Sequence, residues 1–323
     1  MSVRKLKITL SLGVVLLIFA AMTMFSASAL DGARYGLELC LQTIVPTLLP
    51  FFVLSNLLCS LGLPGYLGRW AEPFSRRLFG VGGEGITAFI LGITGGYPLG
   101  ASSVSDLYNS GSITKSEARK LLLFCNNSGP AFIIGMAGVG IFHSASAGVM
   151  LYIVHILAAA AVGAALCRGN TPNRRHFTAV SAMNLGPAIT SAMWRAVRST
   201  AAISGFVIFF SMLASLLQEI GLFSALAGFM CEHTLLGIGQ SESLFLGVLE
   251  LSSGIASLEG LMPNPGNLAL AAFILGWGGI SVHFQTAAVL SGTDLPVGQP
   301  VLGKLLHGII SAALAYFGAM LIV

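Results

Sequence analysis

Charge is scarce in this chain. Asp, Glu, Lys and Arg make up 9% of its 323 residues, against roughly 25% in a soluble domain. So little charge excludes a soluble globular protein of this length, which could not hide its apolar surface. Cysteine is sparse as well. Cys40, Cys59, Cys125, Cys167 and Cys231 form no C-x-x-C pair, which argues against a disulfide framework or a metal site. There is no H-E-x-x-H, and no G-x-S-x-G with partners. The chain therefore lacks the usual marks of a hydrolase, and no enzyme is expected. The net charge of +4 is small, and no nucleic-acid partner is expected.

What the chain has instead is apolar sequence. Hydrophobic residues make up 55% of it, and the mean hydropathy is +0.87. The class is an all-α polytopic membrane protein whose main partner is the lipid bilayer. Where the few charges fall then becomes informative, because cytoplasmic loops collect Lys and Arg. One threading of about seven crossings puts all sixteen basic residues except Arg34 on one side. It makes the chain a multi-pass protein of the cell membrane with a cytoplasmic N-terminus. The apolar run at 8–25 follows Arg4, Lys5 and Lys7. It is longer than the roughly 7–15 residues of a signal core, so an uncleaved first helix is expected.

The threading divides the chain into an N-terminal transmembrane helix (1–34), a first repeat (35–168), a cytoplasmic linker (169–195) and a second repeat (196–323). Each repeat holds a crossing, a re-entrant hairpin, a broken crossing and a final crossing. In the first, residues 85–108 form two short apolar arms around Thr94, Gly95, Gly96, Tyr97 and Pro98. Each arm spans only about 12–15 Å as helix, half of the ~30 Å hydrocarbon core, so the segment should enter and leave on one side. In the second, residues 244–262 are expected to turn at Ser252, Ser253 and Gly254. An odd number of crossings per repeat inverts the second copy. Local text supports the duplication: FFVLSNLLCSLGL (51–63) resembles FFSMLASLLQEIGL (209–222), and YIVHILAAAAVGAAL (152–166) aligns with KLLHGIISAALAYFG (304–318), setting His155 opposite His307. Lys304 is read as marking a return to the cytoplasm.

Inverted repeats with discontinuous helices are a transporter device. Non-helical backbone at membrane depth must be buried in protein or line a watery cavity. The expected substrate-binding residues are therefore those at the breaks: Thr94, Gly95, Gly96 and Tyr97; Asn126, Asn127 and Ser128, ahead of Pro130; Ser252 and Ser253; and Gly278 and Gly279. None of these breaks contains a basic residue, so helix N-termini and amides would have to attract an anion. Glu250 is the sharpest single position. A carboxylate at mid-membrane costs at least ~2.5 kcal/mol, and a coupling or gating role is expected of it. No cofactor is expected, beyond H+ or Na+ as a coupling ion. His155, His283 and His307 read as helix-packing polar groups.

GYPLGA (96–101), GSITKSEARKLL (111–122) and FCNNSGPAFI (124–133) together resemble the YlbJ/SpoVV family of sporulation integral membrane proteins, in the nucleoside recognition or Gate-domain group. The resemblance covers about residues 35–323. It implies a fold similar to concentrative nucleoside transporters, with paired hairpins and broken helices. It also implies transport of a small organic anion by alternating access, with dipicolinate during sporulation as the candidate and the outer forespore membrane as the location. The alternatives are a nucleoside transporter and a non-transporting assembly factor, and a homo-oligomer is left open.

Overall fold

A computed structural model describes residues 3–167 and 183–320. The linker residues 169–182, together with Arg168, lie outside the described residues. All regular structure among the described residues is helical.

The chain enters through α1 (Val3–Met24), bends by 100° at Phe25 and continues as α2 (Ser26–Leu39). The sequence places Asp31 and Arg34 in a short outer segment at the end of the N-terminal helix unit. Both instead lie on α2, where they are exposed and pair at 3.7 Å. A π-helical turn, Cys40–Ile44, leads directly into α3 (Val45–Ser60). The turn lies just before Pro46, whose ring and missing N–H disfavour regular α-helical bonding. Gly62, in the left-handed region at φ 85°, then opens α4 (Leu63–Phe79). This helix carries Arg69, Arg76 and Arg77 and also presents Tyr66, Trp70 and Phe74 outward. Such a mixture suits a membrane interface.

The first hairpin follows as α5 (Gly83–Gly95) and α6 (Leu99–Asn109). A capping box of Thr114 and Glu117 starts α7 (Lys115–Leu121). Residues 125–129 are unwound, as expected ahead of Pro130, and the chain resumes as a π-helical segment, Ala131–Ile141, and then α8 (Ala145–Leu166). The next helix, α9 (Leu185–Glu219), begins inside the stretch read as linker. At ~1.5 Å per residue it is roughly 50 Å long, enough to project beyond the hydrocarbon core. Arg195 on this helix hydrogen-bonds Ser60 at the end of α3.

The later elements are α10 (Leu222–His233), α11 (Ile238–Leu249), α12 (Leu251–Ala256), α13 (Pro265–Trp277), α14 (Gly279–Leu290) and α15 (Gly298–Ala319). The second hairpin turns at Glu250, not at residues 252–254. Ser252 and Ser253 fall in the first turn of α12 because Glu250 caps that helix: its carboxylate accepts from Ser253 N–H at 2.6 Å. A similar element order occurs in both halves: a helix, a left-handed glycine soon after it (Gly62, Gly221), a second helix, a hairpin, a broken run and a final helix.

Four described helices are long and apolar enough to cross a membrane, and six spans result if each bent pair counts as one. These spans do not match the seven expected crossings one for one: the 121–142 run is broken at residues 125–129, as expected ahead of Pro130, and the bent pair α4–α5 counts as a span where the sequence reading has a loop and a hairpin arm. Packing relies on close backbone approach, the means available to helices in lipid. A Cβ on Gly276 of α13 would lie 2.6 Å from Gly308 Cα of α15, and one on Gly303 would strike the Leu123 carbonyl.

Candidate functional site at the hairpin tips

Each hairpin crosses itself through glycine, which sets how far its tip reaches. In the first, Gly92 and Gly100 face each other and both press on the Cys125 carbonyl of the unwound segment. In the second, Gly247 packs against Gly254, with Ile274 of α13 seated on Gly247. The tips then rest on the breaks. Gly96, at φ 80°, abuts Gly129 of the first break, and Gly279, at φ 80°, abuts the backbone of Glu250 and Leu251. Side chains larger than hydrogen at these contacts would hold tip and break apart.

Between the two tips lies a narrow cavity of about 40 Å3. Gly95, Gly96 and Tyr97 come from one tip, and Glu250, Leu251 and Ser252 from the other. Ser128 and Gly129 come from the first break, and Val282 and Gln285 from α14. Phe51, Phe52 and Ile203 close the apolar side. A largely apolar hollow with a few convergent polar groups has the lining of a small-molecule site; at this size it is closed down to room for a water or two and must widen to admit a solute.

Of the expected binding residues, Gly95, Gly96, Tyr97, Ser128 and Ser252 line this cavity, and so does Glu250. Thr94 is exposed and turns its hydroxyl back to the Ile90 carbonyl at 2.8 Å. Asn126 and Asn127 stand behind the wall. Asn126 donates to Thr286 Oγ1 at 2.8 Å, and its Oδ1 accepts from Ala101 N–H at 3.4 Å, tying the break to α14 and α6. Asn127 donates to the Phe124 carbonyl, and its buried Oδ1 has no hydrogen-bond partner. Gly278 packs on the Tyr97 hydroxyl. Ser253 faces a second cavity together with Asp31, Tyr35, Ser211, Ser215 and Ser257.

The larger correction concerns Lys304. It is 3% exposed and not at a surface return. Its ammonium donates to the Asn126 carbonyl at 3.1 Å and to His307 Nδ1 at 3.2 Å, and lies 4.9 Å from the centroid of the Tyr97 ring. The break therefore does have a basic side chain against it, supplied by α15 across the fold. His307 Nε2 meets the His155 carbonyl at 2.9 Å and so carries the proton, which leaves Nδ1 free to accept from Lys304. His155 Nε2 accepts from Ser128 N–H at 3.1 Å. The two histidines aligned across the repeats are in contact, with ring centroids 4.3 Å apart. A lone Lys three residues before a His in an apolar run could have signalled this, since an intramembrane charge is functional by default. Gln285, Phe51 and Phe52 were also missed, and nothing in their local pattern marks them.

Residues 41–146 match the family model described as Gate, nucleoside recognition, a stretch that contains the first hairpin and the first break. Over 337 aligned residues the chain is 28% identical to the sporulation integral membrane protein YlbJ of Bacillus subtilis (strain 168), covering 97% of this chain and 83% of that protein. No solved structure matches the chain. The resemblance read from the three motifs is borne out: the chain is a multi-pass integral membrane protein with a Gate segment at 41–146, similar to YlbJ along nearly its whole length.

Proposed function

We propose that this protein is an alternating-access transporter of a small organic solute held between the hairpin tips. The observation that carries the reading is the cavity itself, walled by both tips and the first break. Two halves of opposite orientation would let the tips part on one side and then on the other. The similarity to a sporulation protein supports a role in sporulating cells, with dipicolinate as the candidate substrate.

Glu250 constrains that candidate. A carboxylate substrate beside an ionised, buried Glu250 would be repelled in a medium of low dielectric, so an organic anion is carried when Glu250 holds a proton. Nucleosides are the second reading, supported by the Gate match and by Phe51, Phe52 and Tyr97 in the wall, which suit a planar ring. The test is uptake of labelled dipicolinate, nucleosides and small dicarboxylates into proteoliposomes under an imposed pH gradient. Dipicolinate uptake driven by inward proton flow is expected; nucleoside uptake in its place selects the second reading, and no uptake of any of them contradicts transport.

A further inference from the structure

Glu250 stands between two cavities. Glu250 lines the one between the tips, and Ser253, whose N–H it accepts from, lines the other. The carboxyl accepts from the Ser253 N–H at 2.6 Å and from the Ser281 hydroxyl at 3.4 Å, with the Ser252 N–H and the Ser253 hydroxyl close beside it. The Ser253 hydroxyl is 2.9 Å from that of Ser211 on α9. Ser211 and Ser253 both line the second cavity, whose mouth carries the exposed Asp31 and Tyr35 of α2. A pair of bonded hydroxyls therefore leads from the Asp31 side of the protein up to the carboxyl of Glu250, a residue of the solute cavity wall.

The geometry points to Glu250 as the carrier of a coupling proton, loaded from the Asp31 cavity through Ser211 and Ser253. This deepens the transport reading and rests on it. In the loading step Ser253 gives its hydroxyl hydrogen to the carboxylate and takes one from Ser211. Ser211 takes one from solvent in the cavity. One proton enters, no other bond changes, and the carboxylate becomes a neutral carboxyl. A hard cation would be held by several oxygen lone pairs, whereas two of the groups meeting Glu250 are backbone N–H donors, which repel one. Among titratable groups, Tyr35 and Cys40 feel its charge, and Tyr35 feels that of Glu259 as well. Among the described residues no Lys or Arg pairs with Glu250.

Infrared difference spectra of the reconstituted full chain during an acid titration read this without a substrate. A protonated-carboxyl C=O band should appear in the wild type and be missing in Glu250→Gln, which keeps an oxygen to cap Ser253 N–H. Ser211→Ala, which removes no contact of the carboxyl itself, should retain the band but slow its shift on transfer to heavy water severalfold, as should Ser253→Ala. A band unaffected by Glu250→Gln, or exchange at the wild-type rate in both serine variants, would overturn the proposal. So would solute uptake that depends on Na+ and moves no protons, although transport itself would then stand. Exchange through the serines with no uptake of any solute would instead contradict transport.

Discussion

At the scale of single residues, the structure separates groups that face the cavity from groups that hold its wall. Asn126 is of the second kind. Asn126→Leu leaves Ala101 N–H without an acceptor and Thr286 without its donor, and should lower stability by about 1–3 kcal/mol, measured by equilibrium unfolding in mixed micelles. Asp294 lies outside the membrane segments, where its carboxylate accepts from Lys115 Nζ at 2.6 Å and from the Tyr108 hydroxyl at 2.7 Å. These donors hold its carboxyl below the usual carboxylate range. A depressed folded-state pKa means that the contact is present above the unfolded value of about 3.9 and is lost as the pH falls through the folded one. An NMR titration of Asp294 should therefore find the contact intact at neutral pH and released only in stronger acid than a free aspartate needs. Glu250 was legible in the sequence because a lone carboxylate in an apolar run has few bland explanations. Lys304 was not, because counting basic residues treats each one as a surface marker, and only the fold brings Asn126 and Tyr97 to it.

At the scale of elements, the hairpins depend on glycine more than on any polar contact. A Cβ on Gly92 would collide with the Cys125 carbonyl, and overpacking of this kind costs about 1–3 kcal/mol. Gly92→Ala should therefore lower stability by at least that range in the same unfolding assay. A Cβ on Gly228 of α10 would meet nothing within 4 Å, and Gly228→Ala should be neutral or stabilising by up to roughly 1 kcal/mol. The first hairpin and the first break could be read from sequence because Gly96, Pro98 and Pro130 forbid regular helix there. The second tip was read two to four residues too late. Its turn is made by a carboxylate capping its own following helix, and Ser252-Ser253-Gly254 only looks like the weaker stretch. The bend at Phe25 is marked by no proline, whereas the early start of α9 carried a signal that was passed over, Asn184 followed by Pro187 in the first turn.

At the scale of the whole molecule, the similar element order of the two halves and the contact of His155 with His307 fit a duplicated design. Inverted orientation has a separate test. Ser224, near the start of α10, and Gly292, in the loop that pairs Asp294 with Lys115, are both exposed. Cysteines placed there should react with impermeant reagent from opposite sides of the membrane; labelling from the same side contradicts inversion. The central claim is that the space between the tips is where a solute crosses. It is tested most directly by uptake into proteoliposomes of the wild-type chain and of Ser128→Leu, which fills the cavity wall at the first break. Saturable uptake of one solute class that is abolished by Ser128→Leu, with the variant still folded and inserted, is the predicted result. Uptake unchanged by Ser128→Leu, or none above empty liposomes for any solute tested, would contradict the account.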